Sequence, residues 1–216
     1  MVLGDYKLDS DNVNIRWIEF DKELDKQNPI SIKLNILIDE AYGNYIFLIR
    51  DYNFLYPGFW EGWKNDLDFD VGMNVIINKD NTRYRDMAYF FSTDIGKSWI
   101  MKEPFTGPDG QYMDGSPYLP SYEETPDTRK IYCSGTYMVF RTSFIRNYKF
   151  NQKLRLCEAE DVELYSRLRK INYKYYMNTK SATGLQKQKD RCLMYLKEEY
   201  GTFEYITKNL AVKPAI

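Results

Sequence analysis

The sequence contains no histidine. That absence removes the usual Ser-His and Cys-His nucleophile systems and the usual zinc ligands. Acid–base chemistry would fall to Asp, Glu, Tyr or Lys, and a metal would be a hard cation held by oxygens. Cysteine is scarce. Cys133, Cys157 and Cys192 are odd in number and widely spaced, with no CxxC pair. This disfavours a disulfide framework and a zinc site, and a reducing, cytoplasmic setting is expected. No apolar run approaches the ~20 residues of a membrane helix. The opening residues, MVLGDYKLDSDN, have no signal-peptide core. Net charge is −1, so no global field recruits nucleic acid or an anionic membrane.

Aromatic residues are abundant, at 17% with 20 Tyr and 4 Trp. Most fill cores; some line sites for flat or ring-shaped ligands. The 216 residues suffice for one domain with a sizeable core. A single domain over 1–216 is expected, with an N-terminal extension (1–12), a long polar loop (102–130) and a C-terminal helical segment (190–216).

Along the chain, VNIRWIEF (Val13 to Phe20) alternates as a strand does, and ISIKLNILIDEAY has Leu34, Leu37, Ile38 and Ala41 at helical spacing, stopped by Gly43. Tyr45 to Ile49 is a continuous apolar run of strand length, the kind found in parallel sheets under helices. Strand, helix and buried strand make a βαβ unit. In open α/β sheets ligands sit at the carboxyl ends of strands, so Asp51, just past this run, is an acid of interest. Phe69 to Asn78 and TRYRDMAYFF are read as a hairpin around Lys79-Asp80-Asn81. IYCSGTYMVFR is read as one strand with a Ser-Gly break that permits close approach of backbone or ligand. YKYYMN is read as a short strand.

The stretch LCEAEDVELYSRLRK carries Glu158, Glu160, Asp161 and Glu163 ahead of Arg167, Arg169 and Lys170. In helical register Asp161 shares the apolar face of Leu164, Tyr165 and Leu168. Glu163 and Arg167 have the favourable i to i+4 orientation, and acids in a first turn suit the helix dipole. Glu158 and Glu163 are thus explained as surface or dipole acids. An inward carboxylate needs a partner or a cavity, so Asp161 is the candidate for chemistry. Glu160 lies on another face, and its role stays open.

The order strand, K-x-N helix, buried strand with an Asp-Tyr turn, aromatic Pro-Gly segment, D-V-x-M-N, R-Y-R-D, Y-x-S-G-x-Y, E-D-V-E and a downstream Asn-x-x-Ser covers roughly Val13 to Lys189. It resembles the nucleotide-sugar glycosyltransferases of the GT-A fold, close to the large inverting family 2 and similar bacterial and viral enzymes. The resemblance implies an α/β, Rossmann-like fold: a mixed, mostly parallel central sheet flanked by helices, with an abbreviated N-terminal nucleotide-binding unit. It implies a nucleotide-diphosphate sugar donor and a glycan, lipid-linked or protein acceptor. Asp51 matches the aspartate that holds Mn²⁺ or Mg²⁺ against the diphosphate, with Asn53 in place of the second acid. Lys33, Asn35, Ser134 and Gly135 match the donor side, and Trp60 and Tyr137 the acceptor side. Glu160 and Asp161 match the E-D pair, in which the Asp is the general base. Many relatives hold the metal with a late histidine; Asn178, Thr179 and Ser181 are the residues available at that place. A GT-A-like module that binds a glycan or a protein without turnover is the alternative.

Overall fold

The computed structural model describes residues 2–4, 16–25, 29–64, 68–79, 83–89, 105–106, 112–113, 119–122, 126–154 and 160–187. Its strands are β1 (Val2–Gly4), β2 (Trp17–Glu19), β3 (Tyr45–Ile49), β4 (Asn53–Leu55), β5 (Val71–Ile77), β6 (Met87–Tyr89), β7 (Phe105–Thr106), β8 (Tyr112–Met113), β9 (Ile131–Cys133), β10 (Tyr137–Arg141) and β11 (Tyr175–Leu185). The helices are α1 (Lys22–Asp25), α2 (Ile30–Glu40), α3 (Phe59–Trp63), α4 (Thr142–Asn147) and α5 (Glu160–Leu168). The expected C-terminal helical segment lies outside the described residues.

The main sheet has the order β3-β10-β5-β11-β4. Three of its pairings, β3 with β10, β10 with β5 and β11 with β4, are antiparallel, and β5 with β11 alone is parallel. This overturns the expected mostly parallel, helix-flanked Rossmann-like sheet. β3 and β4 occupy opposite edges of the sheet yet follow one another in the chain, joined only by residues 50–52. The Asn53 amide donates to the Arg50 carbonyl at 3.0 Å, which closes that turn. A turn this short forces the two edges together, so the sheet curls into a nearly closed, barrel-like form.

The expected βαβ unit fails for the same reason. β2 pairs in parallel with β1, in a separate two-stranded sheet, and not with β3. The apolar run of β3 is real, but its residues alternate. Ile46 and Leu48 are buried, while Tyr45 and Phe47 are half-buried and line a groove. An edge strand beside a groove keeps both faces apolar, as a central parallel strand does. β5, which lies between β10 and β11, is buried along its whole length.

Two further pairings differ from expectation. Beyond β5, among the described residues, the chain returns in an isolated antiparallel bridge, Ile77 to Arg83, with the Tyr84 amide donating to the Ile76 carbonyl at 2.7 Å, and β6 pairs with β9. The run IYCSGTYMVFR is two strands in two sheets, parted at Ser134-Gly135-Thr136. β11 runs on past the expected YKYYMN to Leu185, with a register shift between Asn178 and Ala182.

Helix α2 buries Ser31, Leu34, Asn35 and Ile38, one i, i+3, i+4, i+7 stripe. Gly58, at φ 82°, starts α3 in the left-handed region that favours glycine. Below the sheet, Arg83 and Asp86 form a fully buried pair, with Nε 3.0 and 2.9 Å from the two Oδ atoms. Arg83 Nη1 also donates to the Pro120 carbonyl, and Tyr122 donates to Asp86 Oδ2 at 2.5 Å. Burying such a pair is costly unless its donors and acceptors are met. Here residues 119–122 of the long loop meet them.

Candidate active site

Three chain segments meet at the end of β3. Arg50 leaves the strand and donates Nε to the Gly135 carbonyl at 2.8 Å and Nη2 to Glu160 Oε1 at 2.6 Å. The Gly135 amide donates to Asp161 Oδ2 at 2.7 Å. The result is a closed ring: Arg50, Gly135, Asp161, Glu160 and back to Arg50. The turn supplies the cation, the break between β9 and β10 supplies the main-chain groups, and the head of α5 supplies both acids.

Gly135 has a steric reason to be glycine. A Cβ there would lie 3.1 Å from Asp161 Oδ2 and 3.2 Å from Glu160 Oε1. On the other side of the loop, the Thr136 carbonyl accepts from the Arg50 amide at 3.2 Å and from Asn53 Nδ2 at 2.7 Å. Ser134 is buried, its hydroxyl 3.3 Å from that of Thr136.

The acids are not placed as the helical register predicts. Leu164, Tyr165 and Leu168 are buried as expected, but Glu160 joins them and Asp161 is half-exposed. At the first turn, reach matters more than angle: the longer Glu160 side chain extends back to Arg50. Asp161 accepts from the Val162 amide at 2.8 Å through Oδ1 and from Gly135 through Oδ2. Burial pushes the Glu160 carboxyl above the ordinary carboxylate range, and Asp161 beside it pushes the same way; Arg50 opposes both. Glu163 pairs with Arg167 at 2.8 Å, as expected. Glu158 lies outside the described residues.

Asp51 is exposed in the turn. Burial raises the Tyr52 pKa, Arg50 lowers it, and Asp51, Glu160 and Asp161 each raise it further. Asn53 Oδ1 is buried with no hydrogen-bond partner. The turn's oxygens available to a hard cation are the exposed Asp51 carboxylate and the orphaned Asn53 Oδ1. Mg²⁺ and Mn²⁺ sites commonly need no more than one or two carboxylates besides phosphate and water. Among the described residues, no group of three or more His, Cys, Asp or Glu is arranged to hold a metal.

A groove of about 520 Å³ opens beside this ring. Its walls come from α2, β3 and Trp60, and it ends at Arg50 and Gly135. Trp60 is 53% exposed and packs edge-on against Phe47, with ring centroids 5.3 Å apart.

Other expected site residues are engaged elsewhere. Lys33 pairs with Asp25 and lies 5.0 Å over the Phe20 ring. Asn35 is buried, bonding both the carbonyl and the amide of Phe150 at 2.9 Å. Tyr137 is fully buried, edge-on to Phe59 with ring centroids 6.0 Å apart. Asn178 and Ser181 flank the bulge that contains Thr179, and they bond the Gly62 and Phe59 carbonyls, fixing α3. The structure thus brings Asp51, Asn53, Ser134, Gly135, Glu160 and Asp161 to one locality. Lys33, Asn35 and Tyr137 make their contacts elsewhere. Arg50 is the member of the ring that sequence reasoning missed. Its signal was a lone cation ending an apolar run.

No protein-family model matches the chain, and no curated protein matches its sequence. Among the described residues, no helix is long and apolar enough to cross a membrane.

Proposed function

We propose that the protein is an inverting, metal-dependent glycosyltransferase acting in the cytoplasm. It moves a sugar from a nucleotide-diphosphate sugar to a hydroxyl of a glycan, lipid-linked or protein acceptor. The mostly antiparallel sheet lends this function no support. One observation carries it: the RDYN turn, the CSGT loop and the E-D helix head, far apart in sequence, converge in one hydrogen-bonded ring.

In this reading Asp161 takes the proton of the acceptor hydroxyl as that oxygen attacks the anomeric carbon. The bond from that carbon to the diphosphate oxygen breaks, and the electron pair leaves with the nucleotide. Glu160 orients the hydroxyl, and Arg50 and Gly135 fix both acids. Ser134 and Gly135 border the donor, and Trp60 presents an exposed ring face to the acceptor. Asp51 and Asn53 would hold Mn²⁺ or Mg²⁺, which when bound offsets charge on the diphosphate.

A thermal-shift screen of UDP, GDP and dTDP sugars with Mn²⁺ tests the reading. At least one donor should bind, and Asp51→Ala should weaken it. Asp161→Asn should lower transfer by roughly 10²–10⁴-fold while donor affinity stays within about twofold of wild type. Failure of every donor at millimolar concentration, or undiminished transfer by Asp161→Asn, refutes it.

A second reading has its own support. Both acids already have partners, Asp161 two main-chain amides and Glu160 a guanidinium. An exposed Trp60 beside a polar ring also suits a domain that binds a glycan or a protein without turnover. Glycan binding that persists in Asp161→Asn, with no transfer by wild type, selects this second reading.

A further inference from the structure

We propose that the outer edge of β3 takes an extended peptide segment of another protein as an added antiparallel strand. The inference is independent of sugar transfer. It rests on the main-chain groups that this edge leaves open and on the groove beside them.

The hydrogen-bond phase of β3 is fixed at both ends. The Arg50 amide donates to the Thr136 carbonyl, and the Thr142 amide donates to the Asn44 carbonyl. Both pairs continue the β3–β10 register, in which Ile46 stands opposite Phe140 and Leu48 opposite Met138. Hydrogen-bonded pairs alternate along an antiparallel ladder. Asn44, Ile46, Leu48 and Arg50 therefore turn their main-chain groups to β10, and Phe47 and Ile49 turn theirs outward. Among the described residues β3 has no second neighbour, and no hydrogen bond reaches the outward N–H and C=O groups of Phe47 and Ile49. Such an edge is a template for a further strand.

The groove leaves room for one. It touches Ile46 and Leu48 and also Phe47 and Ile49, which point to opposite faces of the strand. A groove in contact with both faces lies along the edge. It follows β3 from Tyr45 to Arg50, about 17 Å at a strand's rise, which is the reach of about five extended residues. No residue of β4, the other rim of the sheet, lines it. Leu34 and Leu37 of α2 and Trp60 of α3 flank it, so the edge is recessed. In a second copy β3 would be recessed alike, and two such edges cannot meet. The occupant is thus a narrow segment of a partner.

The walls also select side chains. Residues paired with Phe47 and Ile49 stand on the face of Trp60, whose ring packs edge-on to Phe47 and stays 53% exposed. β-Branched or aromatic residues there cover Trp60 and Ile49. The residues between them point to the opposite face. The antiparallel direction is the more stable per residue, and it gives the paired residues both bonds to β3.

The probe is the peptide acetyl-Lys-Thr-Val-Thr-Val-Thr-Lys-amide, titrated calorimetrically into the full chain without sugar donor. Methylating the two valine nitrogens removes the N–H groups aimed at β3 and should weaken binding at least tenfold. Methylating the two threonine nitrogens that follow the valines should change it less than threefold. At saturation the probe should slow hydrogen exchange of the Phe47 and Ile49 amides at least tenfold and leave those of Ile46 and Leu48 little changed. Ile49→Pro removes one outward donor, spares the β10 ladder and should weaken the probe at least tenfold. If that variant does not fold, the methylated peptides and the exchange pattern on wild type decide. Equal loss from both methylated peptides, no protection of Phe47 and Ile49, or no binding at millimolar concentration would overturn the proposal. Self-association of the chain that protects those two amides without the probe would overturn it too, in favour of a second copy.

Discussion

Arg50 Nη2 and Glu160 Oε1, 110 positions apart in the chain, lie 2.6 Å apart with only 15% and 9% of their side-chain surfaces exposed. The pair joins the carboxyl end of an edge strand to the first turn of a helix. Removing one partner strands a largely buried charge, which typically costs about 3–5 kcal/mol. Arg50→Met should therefore destabilise the protein by about that much in urea unfolding. Glu160→Gln keeps an acceptor oxygen for Arg50 and should cost much less than Arg50→Met. The double variant should be less destabilised than the sum of the two. Strict additivity would show that the pair does not couple the turn to the helix.

The pH dependence of stability follows from Glu160. Its folded-state pKa lies above the ordinary carboxylate value, first through burial and then through Asp161, with Arg50 opposing. The folded state therefore binds its proton more tightly than the unfolded chain. That contribution is complete below the unfolded carboxylate pKa of about 4.3 and is lost as pH rises through the folded value. Glu160→Gln mimics the protonated form at every pH. Its stability relative to wild type should rise with pH from about 4 upward. A difference that is flat, or that falls, would assign the buried proton elsewhere.

Gly135 is the contact point for both acids. A methyl group there falls within 3.3 Å of Asp161 Oδ2, Glu160 Oε1 and Asp161 Cβ. Gly135→Ala should push the carboxylates outward and cost about 1–3 kcal/mol. The spectroscopic sign is loss of hydrogen-exchange protection at the Gly135 amide, which now donates to Asp161. Full protection in the variant would mean that the loop shifts without breaking the ring.

Cys133 is buried, and burial pushes its thiol up to about 12. The thiolate is the reactive form. With peptide mapping to separate it from Cys157 and Cys192, Cys133 should react with iodoacetamide at pH 8 at least ~100-fold more slowly in the folded protein than in urea. Rapid labelling of folded protein would mean that β9 opens readily.

Sequence pattern made the local elements legible. Leu34 and Ile38 marked the inner stripe of α2, Tyr45 to Ile49 marked β3, and Glu163 with Arg167 marked the outer face of α5. These signals depend on neighbours within a turn or two. Strand pairing does not. The YIFLI run suits an edge strand over a groove as well as a central parallel strand, and only the partner, β10, decides between them. Likewise, IYCSGTYMVFR changes sheets at Ser134-Gly135-Thr136 because β6 and β3 lie to either side, which no local periodicity records. At the site, helical angle placed Asp161 inward. It carried no information about an arginine 110 positions earlier, which Glu160 is long enough to reach.

The short turn between β3 and β4 also has a meaning for assembly. It holds together the two rims of the sheet, each with a row of main-chain groups. New chain ends opened at residues 50–52, as in a circular permutant, would release both rims at once. Rims left in this way are templates for other chains to add to. Those three residues therefore do more than place Arg50 beside Glu160: they keep the two open rims of the sheet beside one another.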